Sequence, residues 1–243
     1  MSDLTERQAK ILKAIIEEYI ETAEPVGSET LEKKYSLGVS PATIRNEMVR
    51  LTTEGFLRQP YTSAGRIPTS LGFKFYINSL MEEKKLSVVD EVSAKEAIWD
   101  YRFEFDKLMR ETTRVLAQRT KNLAVAATNE GEIFSSGYAN ILDMPEFFDI
   151  DVTKSVLQLL DEFERLENLF NKVLGDDPVH ILLGDEIGEE YLKSCGLVFT
   201  HFQTGSKYAG TLGVIGPCRI NYSEVIPLVR YFGNLISEIG RGW

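Results

Sequence analysis

The sequence predicts an α+β protein in two parts. The first is an N-terminal winged helix-turn-helix domain; the second is an α+β domain with a mostly antiparallel sheet. Three observations carry this. A helix starting at Ser40-Pro41 shows polar and cationic side chains and runs at once into a short hairpin with an arginine on each side. A longer helix and then a short one precede it in helix-turn-helix order. From residue 122 the hydrophobic period changes, and short apolar runs alternate with amphipathic helices.

The first helix is expected over Leu4–Thr22, where Ile11, Leu12, Ile15, Ile16, Tyr19 and Ile20 make a wide apolar stripe. Glu24-Pro25-Val26-Gly27 ends it. Ser28 is expected to cap a second helix reaching about Tyr35, and Leu37-Gly38-Val39 is the turn. In the third helix Ser40 is a cap, Pro41 suits the first turn and Gly55 supplies the stop. Ile44, Met48 and Leu51 share its inner face. Thr43, Asn46 and Arg50 fall opposite, with Arg45 on the flank. Phe56-Leu57-Arg58 and Arg66-Ile67 form the hairpin, with Thr62-Ser63-Ala64-Gly65 at its tip.

A helix over Thr69–Lys84 leads out of this first domain, and Leu86–Asp90 reads as a linker. Ser93–Lys121 has no glycine or proline and reads as one long helix. Along it Ile98, Tyr101, Phe105, Leu108, Thr112 and Val115 step by three and four residues, which is heptad spacing. Either this helix lies on its own domain's sheet or it is a self-association seam. Strands are expected at 123–127, 133–137, 179–183, 196–203 and 210–215, with a turn through Thr204-Gly205-Ser206. Helices are expected over Val152–Val173 and Tyr222–Ile239. The expected domains are 1–85, a winged-helix DNA-binding domain with its exit helix; 86–121, a linker and long connecting helix; and 122–243, an α+β domain.

Charge is unevenly placed along the chain. The whole carries a net charge of -10. Residues 1–85 hold 12 basic and 12 acidic side chains, so all the excess acid lies beyond them. Within Ser36–Asn78, five basic residues face two acidic ones. Phosphate contact depends on such cations, and with so few the chain needs a specific site to bind DNA tightly. In the recognition helix Arg50 and Asn46 suit guanine and adenine edges. Thr43 can reach a phosphate or a thymine methyl, and Arg45 the backbone. Ser28 and Ser40 sit at helix starts that suit phosphate. In the wing, Arg58, Tyr61, Thr62, Ser63 and Arg66 are the candidates, with Arg66 the strongest backbone or minor-groove contact.

No catalytic constellation is visible. His180 and His201, the only histidines, have no carboxylate or cysteine at metal spacing, so no metal is expected. Gly210, Gly213 and Gly216 lack a phosphate-loop pattern, and close strand packing explains them better. Acidic pairs such as Asp176-Asp177 and Glu189-Glu190 read as solvated charge. Cys195 and Cys218 read as packing residues in a reducing cytoplasm. The start of the chain shows no signal peptide, and no apolar run approaches a membrane span. No cofactor is expected.

The segments EPVGSETL, SPATIRNEM, LTTEGFL and QPYTSAGRIPTSLGFKFY span residues 24–76 almost continuously. They resemble the N-terminal part of the HrcA family of bacterial heat-shock repressors. The chain departs from the family at Tyr61, where histidine is usual, and at Ala23, where glycine is common. Asn140–Phe147 and the stretch from Gly210 through Leu228 resemble the family's later segments. The resemblance implies a GAF-like regulatory domain, an inverted-repeat operator of the CIRCE type bound by a homodimer, GroEL as a partner, and derepression on heat stress. The family usually carries an inserted dimerisation domain between the strand matching 123–127 and the segment at Asn140, where this chain has only about a dozen residues. With the insert missing, the dimer is expected on the Ser93–Lys121 helix, through the six heptad residues named above, and on the GAF-like domain. The reading from another class is an adaptor that senses a ligand or partner and whose winged helix contacts protein.

Overall fold

In the computed structural model, residues 4–173, 175, 177–205 and 207–242 are described. Ser206 of the expected turn and Asp176 of the expected acidic pair lie outside the described residues. The chain divides into two compact units between Glu82 and Glu83.

The first unit holds α1 (Glu6–Thr22), α2 (Ser28–Lys34), α3 (Pro41–Thr53), β1 (Leu57–Arg58), β2 (Ile67–Pro68) and α4 (Ser70–Phe75). Thr5 caps α1, and Gln8 reaches back to the Thr5 N–H to complete a capping box. Ile11, Leu12, Ile15 and Ile16 are buried beneath it. Ala23 ends α1 in the left-handed region, with φ 60°. Gly27, not Ser28, is the cap of α2. Gly55 ends α3 with φ +85°; its N–H reaches the Thr52 carbonyl, and the next N–H, of Phe56, reaches Leu51. Thr69 caps α4, whose last turn widens into a π-turn over Tyr76–Leu80, so the exit helix stops short of the expected Lys84.

The second unit holds α5 (Val88–Trp99), α6 (Phe105–Thr120), β3 (Leu123–Thr128), β4 (Ile133–Ser136), α7 (Tyr138–Leu142), α8 (Ile150–Asp161), α9 (Phe163–Phe170), β5 (His180–Leu183), β6 (Cys195–Gln203), β7 (Ala209–Pro217) and α10 (Tyr222–Ile239). Its five strands lie in the order β4-β3-β7-β6-β5, every neighbour antiparallel. Helices cover both faces, which is why β3 is buried at all six positions. Leu123, Val125, Leu197, Phe199 and Ile215 face α8 and α9 in one core. On the other face α10 comes so close to β6 that a Cβ on Gly233 would sit 2.4 Å from Thr200 Cγ2.

The glycines of β7 serve this packing. A Cβ at Gly213 would sit 2.6 Å from that of Phe199, and one at Gly216 would strike the Asn122 amide oxygen. Pro227 lies inside α10 and removes one helical donor. The carbonyl it leaves over, that of Ser223, accepts the Lys84 N–H at 2.9 Å instead.

Three expectations change here. The single helix over Ser93–Lys121 is two helices. Tyr101, Arg102 and Glu104 donate i→i−3 bonds, and Glu104 is extended at φ -130°. The heptad stepping runs across this corner because α5 and α6 turn buried faces to the same core. The linker at Leu86–Asp90 is the start of α5, which opens on a capping box between Ser87 and Asp90. Segment 86–121 therefore belongs to the second unit rather than standing between two domains. Lastly, the helix over Val152–Val173 breaks at Glu162 into α8 and α9.

The dimerisation residues named from the heptad are corrected as well. Ile98, Leu108 and Thr112 are completely buried, and Val115 and Phe105 nearly so, within their own unit; Tyr101 is half-buried. These side chains are core, not a surface.

Candidate DNA-binding surface

The outward face of α3 is set by what the helix buries. Ile44, Glu47, Met48 and Leu51 point inward. Opposite them Ala42, Asn46, Val49 and Thr53 are exposed, flanked by Arg45 on one side and Arg50 on the other. The centre of the face therefore lies about a residue away from the expected Thr43–Asn46–Arg50 line. Thr43 is half-buried, and its N–H and hydroxyl are both engaged with the Ser40 hydroxyl. Val49, not foreseen as a contact, sits mid-face at 49% exposure. Its signal was available: it is the apolar residue one turn beyond Arg45 and Asn46 that the inner stripe does not need.

The two flanking arginines differ. Glu47 is buried and accepts from Arg7 Nε at 3.0 Å. Arg50 Nη1 reaches the same carboxylate at 3.4 Å, with its side chain still 64% exposed. Arg50 is thus aimed by a buried acid, whereas Arg45 makes no ion pair among the described residues. Arg45 leans instead toward a cleft of ≈ 340 Å³ between α3, the start of α2 and the hairpin, shared with Ser28, Val49, Gln59, Ser63 and Arg66.

The hairpin is tied down at its base and open at its tip. Arg58 pairs with Ile67 across the strands. Val26 and Arg66 exchange both backbone bonds at 2.9 Å in an isolated antiparallel bridge, which ties the hairpin to the segment before α2. Gly65 is required beside it, since a Cβ there would stand 2.3 Å from the Val26 oxygen. Ser63 takes φ +68°, and Gln59 Nε2 closes the loop on the Ala64 carbonyl at 3.0 Å. Tyr61 is 66% exposed, and Thr62 and Ser63 are exposed with it. Arg58 is exposed and has no ion pair among the described residues. Arg66 departs from its expected role: it is half-buried, and its guanidinium donates to Thr52 Oγ1, Ala64 O and Gly65 O. It braces the hairpin against α3. Ser28 is also buried, in the wall of the cleft.

His201 donates to or accepts from Thr211 Oγ1 at 2.8 Å and lies 5.2 Å from His180, ring to ring. Burial, and then the neighbouring His180, lowers the His201 pKa. Burial pushes the Cys195 thiol up to about 12, far from a reactive thiolate. Among the described residues no three metal-ligating side chains converge, and no helix is long and apolar enough to cross a membrane. The segments at Asn140 and Arg219 meet in space. Arg219 Nε and Nη2 donate to the two Glu146 oxygens at 2.7 and 3.1 Å, and Asn140 Nδ2 ties the Ala117 and Asn122 carbonyls. Their work is structural.

The sequence profile described as HrcA protein C terminal domain matches residues 71–226. The chain belongs to the HrcA family. A heat-inducible transcription repressor HrcA from Desulforamulus reducens is 28% identical over 97% of this chain and 96% of its own length. One from Symbiobacterium thermophilum is 28% identical over 98% and 99%. The first alignment runs over 335 positions against a chain of 243 residues, so that HrcA carries a long stretch with no counterpart here. In this chain β3 passes to β4 through a tight turn, with the Thr128 N–H bonded to the Glu132 oxygen at 3.0 Å. A crystal structure titled as a hypothetical protein shares the fold, with TM-score 0.79 at 19% identity over 99% of both chains.

Proposed function

We propose that this chain is a sequence-specific transcriptional repressor of heat-shock genes, that its first unit is a winged helix, and that it acts as a homodimer on an inverted-repeat operator of the CIRCE type. α3 enters the major groove, where Asn46 and Arg50 read base edges and Val49 meets a thymine methyl. Arg45, Arg58, Tyr61, Thr62 and Ser63 contact phosphate. Ser40 and Thr43 hold the helix start, and Arg66 sets the angle of the wing. The observation that carries this reading is the joint exposure of Arg45, Asn46, Arg50, Arg58 and Tyr61 in one unit of an otherwise acidic chain. The second unit is then a GAF-like regulatory domain in a cytoplasmic protein, with GroEL as partner, as the family resemblance implies.

Fluorescence anisotropy across a salt series tests it, using a labelled inverted repeat and its scrambled counterpart. A specificity ratio of order 10³ or more supports the repressor. Equal and steeply salt-dependent binding to both duplexes reduces it to a non-specific module. No binding at any salt favours an adaptor whose winged helix contacts protein.

A further inference from the structure

The buried Glu47 carboxylate serves two arginines that lie far apart in sequence. Arg7, in the first turn of α1, donates to Oε1 through Nε at 3.0 Å and through Nη2 as well. Arg50, one turn along α3, stands 3.4 Å from Oε1 and 3.5 Å from Oε2 through Nη1 alone. A charge-assisted N–H···O bond is about 2.7–2.9 Å at its best, so Arg7 is the close partner and Arg50 the loose one. Both arginine side chains stay well exposed, at 51% and 64%, while that of Glu47 is 3% exposed. A carboxylate buried to this degree is costly to leave without a counter-charge. Were Arg50 its sole partner, moving that guanidinium to a base edge would strand the buried charge, and DNA binding would carry the cost. With Arg7 in place the charge stays paired whether Arg50 is present or gone.

We propose that Arg7 is a positioning residue for sequence reading: by holding the Glu47 carboxylate, it frees Arg50 to exchange its loose contact for a base edge. The proposal rests on the repressor reading, in which Arg50 meets DNA, and adds to it a residue of α1. Within the trio one acid faces two bases, so one positive charge is left over. The distances assign it to Arg50, the arginine on the outward face of α3. Without Arg7 the trio becomes a neutral pair, and Arg50 is drawn onto Glu47 as its only counter-ion. A guanine is read by two donors of one guanidinium, directed at O6 and N7. An Arg50 bound closely to Glu47 does not present that fork. The neighbouring arginines show the two extremes between which Arg50 lies. Arg45 makes no ion pair among the described residues, and Arg66 is fixed by three hydrogen bonds. Arg50 is held enough to be aimed and loosely enough to leave.

The test uses the full chain and labelled inverted-repeat duplexes of the CIRCE type, with one base pair replaced at a time. Arg50→Ala first locates the base pair that Arg50 reads. At that pair Arg7→Ala is expected to lose at least ~5-fold of the parent's discrimination, with other positions changed less than ~2-fold. In Arg7→Ala/Glu47→Gln no buried charge competes for Arg50, and the discrimination is expected to return. A residue that merely braced α1 would give no such rescue. Circular dichroism checks that each variant is folded at the titration temperature. If Arg7→Ala is not, Arg7→Gln, which keeps a donor without the charge, is read in its place. Without DNA, exchange of the Arg50 Nε–H with water, followed by NMR, is expected to slow in Arg7→Ala. Discrimination that depends on Arg50 but survives Arg7→Ala, or that Glu47→Gln fails to restore, overturns this proposal alone. So does exchange that Arg7→Ala leaves unchanged. An equal loss for all duplexes, with the salt slope reduced by about 1, makes Arg7 a phosphate contact and likewise overturns it. A parent chain with no base preference at all overturns the repressor reading, and this proposal with it.

Discussion

The Arg66 Nε–H donates to the Thr52 hydroxyl at 3.1 Å, and that bond joins the returning strand of the hairpin to the last turn of α3. The hairpin and α3 are therefore tied together. Arg66→Ala is expected to destabilise the fold by about 1–2 kcal/mol in urea titration, because a charged donor with three partners is lost. It weakens every operator variant alike. Thr52→Val tests the link, since the two changes share one bond and their costs are not additive.

Glu47 stands to Arg50 as Thr52 does to Arg66. Its buried carboxylate holds both Arg7 and Arg50. Glu47→Gln is expected to cost about 1–3 kcal/mol of stability. Arg50→Ala leaves stability nearly unchanged but relaxes base preference at one operator position, at about 1–3 kcal/mol of binding. Operator variants measured one base at a time separate the two effects.

Arg58 has no ion pair to lose among the described residues. Arg58→Ala is expected to weaken all sequences equally and to reduce the slope of log affinity against log salt by about 1. A change confined to one base pair contradicts a backbone role.

Ala23 takes φ 60° at the end of α1. A Cβ in the left-handed region costs roughly 1 kcal/mol. Ala23→Gly is therefore expected to stabilise the chain slightly, by up to ~0.6 kcal/mol after the added freedom of the unfolded glycine is subtracted. The urea midpoint gives the answer directly.

His201 has a pKa below its ordinary 6.5 in the folded chain, through burial and then its neighbour His180. The unfolded chain therefore binds protons more readily at this site. Stability from this residue is fully present above pH 6.5 and is lost as pH falls through 6.5 toward the lower folded value. Urea midpoints at pH 7.5 and 5.5 should differ less in His201→Gln than in the parent.

Much of this could be read from residue order. Ser40-Pro41 and Gly55 bound α3 because capping and left-handed glycine are local effects. Tyr222–Ile239 is found as expected because its stripe is strong enough to absorb Pro227. Helix breaks were not legible. Asp100–Glu104 and Glu162 contain no glycine or proline, and only packing against a shared core turns the chain there. The role of Arg66 was hidden for a related reason: an arginine after Ser63-Ala64-Gly65 looks free until Thr52, distant in sequence, is placed beside it. At Ser87 the capping signal was present but was outweighed by the polarity around it.

Lys84 carries a last consequence, for dissecting the molecule. Its N–H fills the vacancy that Pro227 leaves at the Ser223 carbonyl, its amine pairs with Glu224, and the preceding Glu83 forms two bonds to Arg230. By sequence these two residues look like a solvated tether, and a protease or a gene designer would choose to cut there. A fragment of the second unit begun after Lys84 would lose four interactions and leave α10 frayed at its proline. One begun at or before Glu82 keeps them, and its melting point beside that of the shorter fragment measures what two tether residues contribute to a domain they seem merely to precede.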